Sequence, residues 1–135
     1  MHPPEEWNWG KYETKLGISK DRIEIGKNLF DKVQAICQTK QWSLIPRFNQ
    51  YAIHFKYSSR NVIYISYWVS GQFCHLGFKL GKPPEQLNIV DPYADAQHKF
   101  NSESGDFYAR VEEPNLDING YIPFMEAAYR NVTKE

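Results

Sequence analysis

The chain has 135 residues, of which 41% are hydrophobic and 24% are charged, a balance that is typical of one folded globular domain and excludes a disordered chain. No stretch approaches ~20 uncharged apolar residues, so we expect no membrane span. The first residues lack the basic and apolar segments of a secretory signal peptide. Two cysteines, Cys37 and Cys74, are too few for a disulfide-based secreted scaffold, and we expect a cytoplasmic protein.

The net charge of zero conceals an uneven distribution of charge along the chain. Residues 32–84 contain seven lysines and arginines and no acid, whereas residues 85–135 contain ten acids and four bases. A basic block that is also rich in aromatic residues favours an anionic partner. The alternative is that the acidic C-terminal part folds back onto this block and neutralises it.

The beginning of the chain predicts a short lead-in followed by a helix. We expect residues 1–17 to be loosely structured, because two adjacent prolines oppose regular structure and two glycines interrupt the rest. Residues 20–39 repeat apolar side chains at three- and four-residue spacing, which predicts an amphipathic helix. Gly26 lies inside this helix and should weaken it by ~1 kcal/mol relative to alanine.

Three apolar-rich runs then predict the centre of a sheet, with strands at residues 51–57, 62–69 and 73–80. Short polar breaks between the runs fit tight turns, so we expect the strands to pair antiparallel. Alternation gives the strands one apolar face, which should pack under helices, and one face that is only partly covered. We call the second face the mixed face; it carries His54, Lys56, Tyr64, Ser66, Trp68, Phe73, His75 and Lys79.

The rest of the chain predicts additional strands and a final helix. Residues 40–50 lead into an edge strand, and a short strand follows at residues 87–92. Residues 93–105 are predicted as a long polar loop or a short broken helix, residues 105–114 as a last strand and residues ~120–133 as a helix. Together these elements predict an α+β fold in one domain: an antiparallel sheet of about five strands, with an N-terminal and a C-terminal helix on one face.

The mixed face provides the candidate site. Nucleobases stack on aromatic side chains and cations neutralise phosphate, so this pattern favours a non-catalytic binding module for nucleic acid or a nucleotide-like anion. We expect no catalytic residue, no cofactor and no metal, since the sequence contains no known catalytic motif. The predicted ligand-binding residues are Tyr64, Trp68, Phe73, His75, His54, Lys56 and Lys79.

Three alternatives stay open at this point. The uneven charge also fits a protein-interaction or inhibitor domain, which would bind a protein partner or a second copy of itself. A second alternative is a hydrolytic enzyme, since histidine and aspartate side chains can act as general acids and bases. The candidate residues are His54 or His75 with Asp91 or Asp106. The mixed face could also be covered, either by residues 93–105 or by the tryptophan-containing start of the chain.

From Leu29 onward, the order of elements is similar to a small uncharacterised bacterial domain that is labelled a predicted transport protein and also occurs fused to restriction-system proteins. The matching segments are LFDKVQAI (29–36), YAIHFK (51–56), VDP (90–92), GDFYARV (105–111) and AAYRN (127–131). The resemblance implies an α+β domain without established catalysis. Between its D-P and G-D the family carries an Arg-Asp pair and a Gly-His-Trp-Gly-like run, whereas this chain reads YADAQHKFNSES, with only His98 in common.

Overall fold

The computed structural model describes residues 7–67, 74–93, 98–113 and 115–134. Within these ranges the chain forms three α-helices: α1 (Trp9–Leu16), α2 (Lys20–Lys40) and α3 (Ile122–Thr133). The same ranges contain six β-strands: β1 (Ile45–Phe48), β2 (Ala52–Tyr57), β3 (Arg60–Tyr67), β4 (Cys74–Lys79), β5 (Lys99–Asn101) and β6 (Asp106–Val111).

The described strands form one antiparallel sheet in the order β1-β2-β3-β4-β6-β5. The first four strands follow one another as a meander, and β6 then pairs with β4 so that β5 lies at the far edge. The predicted α+β fold is confirmed, with six strands instead of about five.

The strand predicted at residues 87–92 does not form. Leu87 ends a 3-10 helix, Pro84–Leu87, and Asn88 then has a φ of 57°, a left-handed conformation that is incompatible with an extended strand. The additional strand, β5, arises inside the segment 93–105, where the sequence predicts a loop or a broken helix. Its central residue, Phe100, is aligned with Phe107 of β6.

Helices α2 and α3 pack on the same face of the sheet, as predicted, and we call this face the covered face. From α3, Phe124 contacts Phe78 of β4 and Phe107 of β6, with ring centroids 5.7 and 4.9 Å apart. From α2, the Arg22 carbonyl accepts a hydrogen bond from the Tyr67 hydroxyl at 3.1 Å. The alternating apolar residues that complete the covered face are buried: Ile53, Phe55, Ile63, Ile65, Leu76, Ala109 and Val111.

Helix α1 shows that the expected loose lead-in over residues 1–17 is wrong for Trp9–Leu16. The helix begins after Asn8, whose side chain accepts a hydrogen bond from the Lys11 amide at 3.0 Å, and it ends at Gly17, which has a φ of 69°. Tyr12 fixes the helix to the domain, because its ring is buried and its hydroxyl donates to the Asn49 carbonyl at 2.5 Å. Capping and aromatic burial together outweigh the disruptive composition of this segment.

The glycine in the middle of α2 has a packing role that helix propensity alone does not indicate. A Cβ atom on Gly26 would lie 1.9 Å from the Tyr67 hydroxyl oxygen and 3.0 Å from the Trp9 ring. Only a residue without a side chain lets the Tyr67 ring reach the Arg22 carbonyl across the helix.

None of the described helices is both long and apolar enough to cross a membrane.

Candidate ligand-binding face

The mixed face lies on the side of the sheet away from α2 and α3. Cross-strand partners share a face, and the register aligns His54 with Tyr64 and Lys79 with Asp106. His75 lies on β4 beside Ser66 of β3. The structure thus brings five of the predicted site residues together: His54, Lys56, Tyr64, His75 and Lys79. The other two, Trp68 and Phe73, lie outside the described residues.

An open groove of about 560 Å³ runs along this face on the β2–β3 side. We call it the main groove. Leu16, the last residue of α1, borders this groove, whereas α2 and α3 pack on the covered face. Its lining includes Tyr51, His54, Asn61, Tyr64, Lys79 and Asp106.

The Tyr64 ring forms a fixed aromatic surface on the mixed face. A Cβ atom on Gly77, its cross-strand partner, would lie 2.0 to 2.4 Å from three atoms of the Tyr64 ring. The ring therefore lies against the backbone of Gly77 and occupies the space that any larger residue would need. One side of the ring is turned to the sheet, and Tyr64 also lines the main groove.

A second, smaller groove of about 240 Å³ continues on the β4–β6 side. We call it the side groove. Tyr64, Ser66 and Asp106 line both grooves, so the two form one continuous surface divided at Tyr64. The His75 and Tyr108 rings lie in the side groove with their centroids 5.1 Å apart, which adds a second aromatic pair to the face.

The charges on this face are partly paired. Lys79 Nζ lies 2.8 Å from Asp106 Oδ1, and Arg110 forms an ion pair with Glu112 at 2.5 Å. Lys56 and Arg47 form no ion pair with any described acid. The acidic C-terminal part therefore neutralises the basic block at some positions, such as Lys79.

Both histidines favour the neutral form. Burial, together with the cations of Lys56 and Lys79, lowers the pKa of His54, and Asp106 opposes this shift. Burial, with the nearby Arg110 cation, lowers the pKa of His75 to about 4. The Nδ1 atom of His54 is buried and makes no hydrogen bond with a described residue.

The two carboxylates that could form a hydrolytic pair with these histidines have different partners in the structure. Asp91 binds the His98 ring through one oxygen and accepts a hydrogen bond from the Tyr121 hydroxyl at 3.0 Å through the other. Burial opposes the ionisation of Asp91, but the hydrogen bonds from His98, Tyr93 and Tyr121 hold its pKa below the ordinary value. Asp106 does lie in the grooves, where Lys79 is its ion-pair partner.

No three His, Cys, Asp or Glu side chains lie close enough to hold a metal ion within the residues that the structure describes.

Sequence reasoning missed several groove residues. Alternation places Tyr51 with the apolar residues of its strand, yet its side chain is 71% exposed and lines the main groove. The reason is a turn: the Asn49 side chain accepts hydrogen bonds from the backbone amides of Tyr51 and Ala52, so the strand begins only at Ala52. An asparagine two residues before the tyrosine was the available signal.

Asn61 enters the groove for a different reason. The pairing of β2 with β3 shifts after Phe55, so that Lys56 is aligned with Asn61 and not with Val62. An irregularity of this kind in a strand pair changes the direction of a side chain, and Asn61 lines the main groove as a result. The S-S-R-N sequence at residues 58–61 signals a turn, but β3 begins within it at Arg60, and the sequence does not indicate where the register changes.

Comparison of the chain with protein-family models, with curated proteins and with solved structures finds no match in any of the three. The resemblance to the small bacterial domain therefore stays a prediction. The fold and the site define an antiparallel α+β protein with one sheet face under helices and one aromatic, partly basic face with open grooves, and its function has to be argued from that geometry.

Proposed function

We propose that this protein is a non-catalytic binding module whose mixed face binds nucleic acid or a nucleotide-like anion. The observation that carries the proposal is the Tyr64 ring, which lies against Gly77 in an open groove with cationic side chains nearby. A base stacked on an aromatic side chain contributes ~1–3 kcal/mol to binding. A ring already held flat loses little freedom when a base stacks on it.

The charge of the face supports an anionic ligand. Lys56 lies two residues from His54 on the same side of β2, near enough for its charge to lower the pKa of that histidine. Arg47 is aligned with His54 on the neighbouring strand β1. Neither cation forms an ion pair with a described acid, so both can approach a phosphate without first giving up a carboxylate.

The groove also supports binding in preference to catalysis. In hydrolytic sites the general base is typically oriented by a hydrogen-bonded partner. His54 Nδ1 makes no such bond with a described residue, and Asp106 is paired with Lys79. This reading agrees with the resemblance to a bacterial domain without established catalysis.

Replacement of the aromatic surface tests the proposal. We expect Tyr64→Ala to weaken binding of a fluorescent single-stranded oligonucleotide by about tenfold or more at low salt. Anisotropy titration of the intact chain measures the affinity, and the logarithm of the binding constant should fall with the logarithm of salt concentration.

Tyr57→Ala is the matched control. Tyr57 belongs to the same sheet, but its ring packs at 6.0 Å against Tyr129 of α3 on the other side, so its removal should leave the affinity unchanged. The absence of binding to any oligonucleotide or nucleotide at low salt, or equal affinities of the Tyr64→Ala variant and the wild type, would overturn the proposal.

A further inference from the structure

We infer that the main groove takes one nucleoside monophosphate unit, with the base edge at the Lys79–Asp106 ion pair and the phosphate at Lys56. The inference rests on the proposed function and extends it to the class and orientation of the ligand. It depends on how the charges are distributed in the groove, which Lys79 and Asp106 line, and beside it, where Lys56 is aligned with the lining residue Asn61.

The Lys79–Asp106 pair is poorly suited to a phosphate. The two side chains are aligned across β4 and β6, with Nζ and Oδ1 2.8 Å apart, and both line the main groove. A phosphate approaching Lys79 would meet the Asp106 carboxylate, and like charges repel strongly where solvent is partly excluded.

The same pair is well suited to the edge of a nucleobase. An ammonium group is a hydrogen-bond donor only and a carboxylate is an acceptor only. Every nucleobase presents at least one ring or carbonyl acceptor close to an N–H donor, so one edge can satisfy Lys79 and Asp106 together. The Tyr64 ring lines the same groove and provides the stacking surface.

The phosphate is then expected at Lys56. This lysine is aligned with Asn61, which lines the groove, and it forms no ion pair with a described acid. The Lys56 charge contributes to the lowered pKa of His54, so this cation lies near the histidine that is aligned with Tyr64. A ligand that stacks on Tyr64 with its base edge toward β6 therefore extends its sugar and phosphate toward β2.

The size of the groove favours a single unit. A volume of about 560 Å³ falls in the range of ~300–1,000 Å³ that is usual for small-molecule sites. A longer strand would have to continue past Tyr51 at one end or across Tyr64 into the side groove at the other.

Isothermal titration of the full chain with small probes tests the inference. The probes are the four common ribonucleoside 5′-monophosphates, their nucleosides, ribose 5-phosphate and inorganic phosphate. We expect the monophosphates to bind more tightly than ribose 5-phosphate, and Asp106→Asn to change the ratio of affinities among the four bases by about tenfold. Lys56→Gln should bring the affinity of each monophosphate close to that of its nucleoside.

Glu126→Gln and Lys40→Gln are matched controls. These residues form the Lys40–Glu126 ion pair, 3.5 Å long, between α2 and α3. Each control removes the same charge as its test variant, so a change shared by both would reflect the net charge of the protein and not the groove.

The outcomes separate the inference from the proposed function. Equal binding of ribose 5-phosphate and the monophosphates, or base preferences that Asp106→Asn does not alter, would overturn the inference. If the protein binds an oligonucleotide tightly but none of the monophosphates, the inference is overturned and the proposed function stays in place. Failure of every probe and of the oligonucleotide at low salt would overturn both.

Discussion

The two faces of this sheet are made by alternate residues of the same strands, yet they differ in how completely they are closed. On the covered face, Ile65 and Leu76 are buried under two helices. On the mixed face, Tyr64 and Lys79 are only partly buried and line grooves. The comparison shows that a strand can contribute to the core with one set of side chains and line an open groove with the next.

Each face has a tyrosine ring that lies against a glycine, and the two contacts illustrate the difference between the closed and the open face. On the covered face, Tyr67 lies over Gly26 and its hydroxyl donates to the Arg22 carbonyl. On the mixed face, Tyr64 lies over Gly77, and its hydroxyl makes no hydrogen bond with a described residue. The hydroxyl of the first tyrosine is hydrogen-bonded within the fold, whereas the second tyrosine lines the main groove.

The largest effect is expected on the covered face, from Phe78→Ala. Phe78 is 0% exposed and packs against the rings of Tyr121 and Phe124, each 5.7 Å away. The loss of transfer free energy and the remaining cavity should lower the free energy of unfolding by ~3–5 kcal/mol, measured by urea denaturation at pH 7. Lys79→Ala on the same strand should cost less, about 1–2 kcal/mol, mainly because it leaves the partly buried Asp106 carboxylate without its cation; equal losses would contradict the contrast between the faces.

Acid should destabilise the protein through the mixed face. The folded state keeps His75 neutral, with a pKa of about 4 against the ordinary 6.5, so the unfolded chain binds more protons between these values. The stability from His75 is complete above about pH 6.5 and is lost as the pH falls toward 4, a change of about 2–3 kcal/mol.

Urea denaturation of the wild type and of His75→Gln at pH 7 and pH 4 isolates this contribution. The wild type should lose more stability than the variant over this interval. Parallel losses would show that His75 does not carry the effect, since the lowered pKa of His54 acts in both proteins.

Gly26→Ala should destabilise the protein, although helix propensity alone predicts a gain of ~1 kcal/mol. The new Cβ would lie 1.9 Å from the Tyr67 oxygen, and crowding of this kind in a packed core costs ~1–3 kcal/mol. Thermal denaturation checks the sign. In a Tyr67→Leu background the same substitution should cost less; an equal cost there would mean that Tyr67 is not the obstacle.

Gly77→Ala should cost less than Gly26→Ala, about 1 kcal/mol, because the Tyr64 ring borders a groove and can move outward. It should also weaken oligonucleotide binding, since the displaced ring no longer lies flat. In a Tyr64→Ala background the substitution should become neutral or stabilising, because glycine weakens a strand interior. A cost that persists without the ring would refute this packing.

The smallest effect on stability is expected for Lys56→Gln, within ~0.5 kcal/mol. Its effect should appear in binding, where the slope of log affinity against log salt falls by ~1 for each lost phosphate contact. The Lys40→Gln variant should keep the wild-type slope. An unchanged slope for Lys56→Gln would place the phosphate elsewhere.

The faces of the sheet could be predicted because strand alternation has a period of two, which assigns each side chain to a side without knowledge of its partners. The Lys79–Asp106 pair could not be predicted in this way. It depends on β6 pairing with β4 while β5, which precedes β6 in sequence, moves to the edge. Strand pairing between distant segments is not encoded in the local sequence of either strand, so this ion pair could not be expected from the sequence.

The glycines illustrate the same limit. Both Gly26 and Gly77 read locally as weak points of a helix and a strand. Their role comes from Tyr67 and Tyr64, which approach them from other elements. Helix α1 escaped prediction because its stability depends on the burial of Tyr12 against distant residues and not on its own composition.

The position of α3 has a consequence for how the chain is made. This helix contributes Phe124, Met125, Ala128 and Val132 to the core, but it follows all six described strands in sequence. During translation at ~5–20 residues per second, α2 and the strands emerge first, and the part of the covered face that α3 buries stays exposed to water until α3 arrives. Contacts between such distant segments also form slowly. The nascent chain is thus most exposed to aggregation in the seconds before α3 leaves the ribosome.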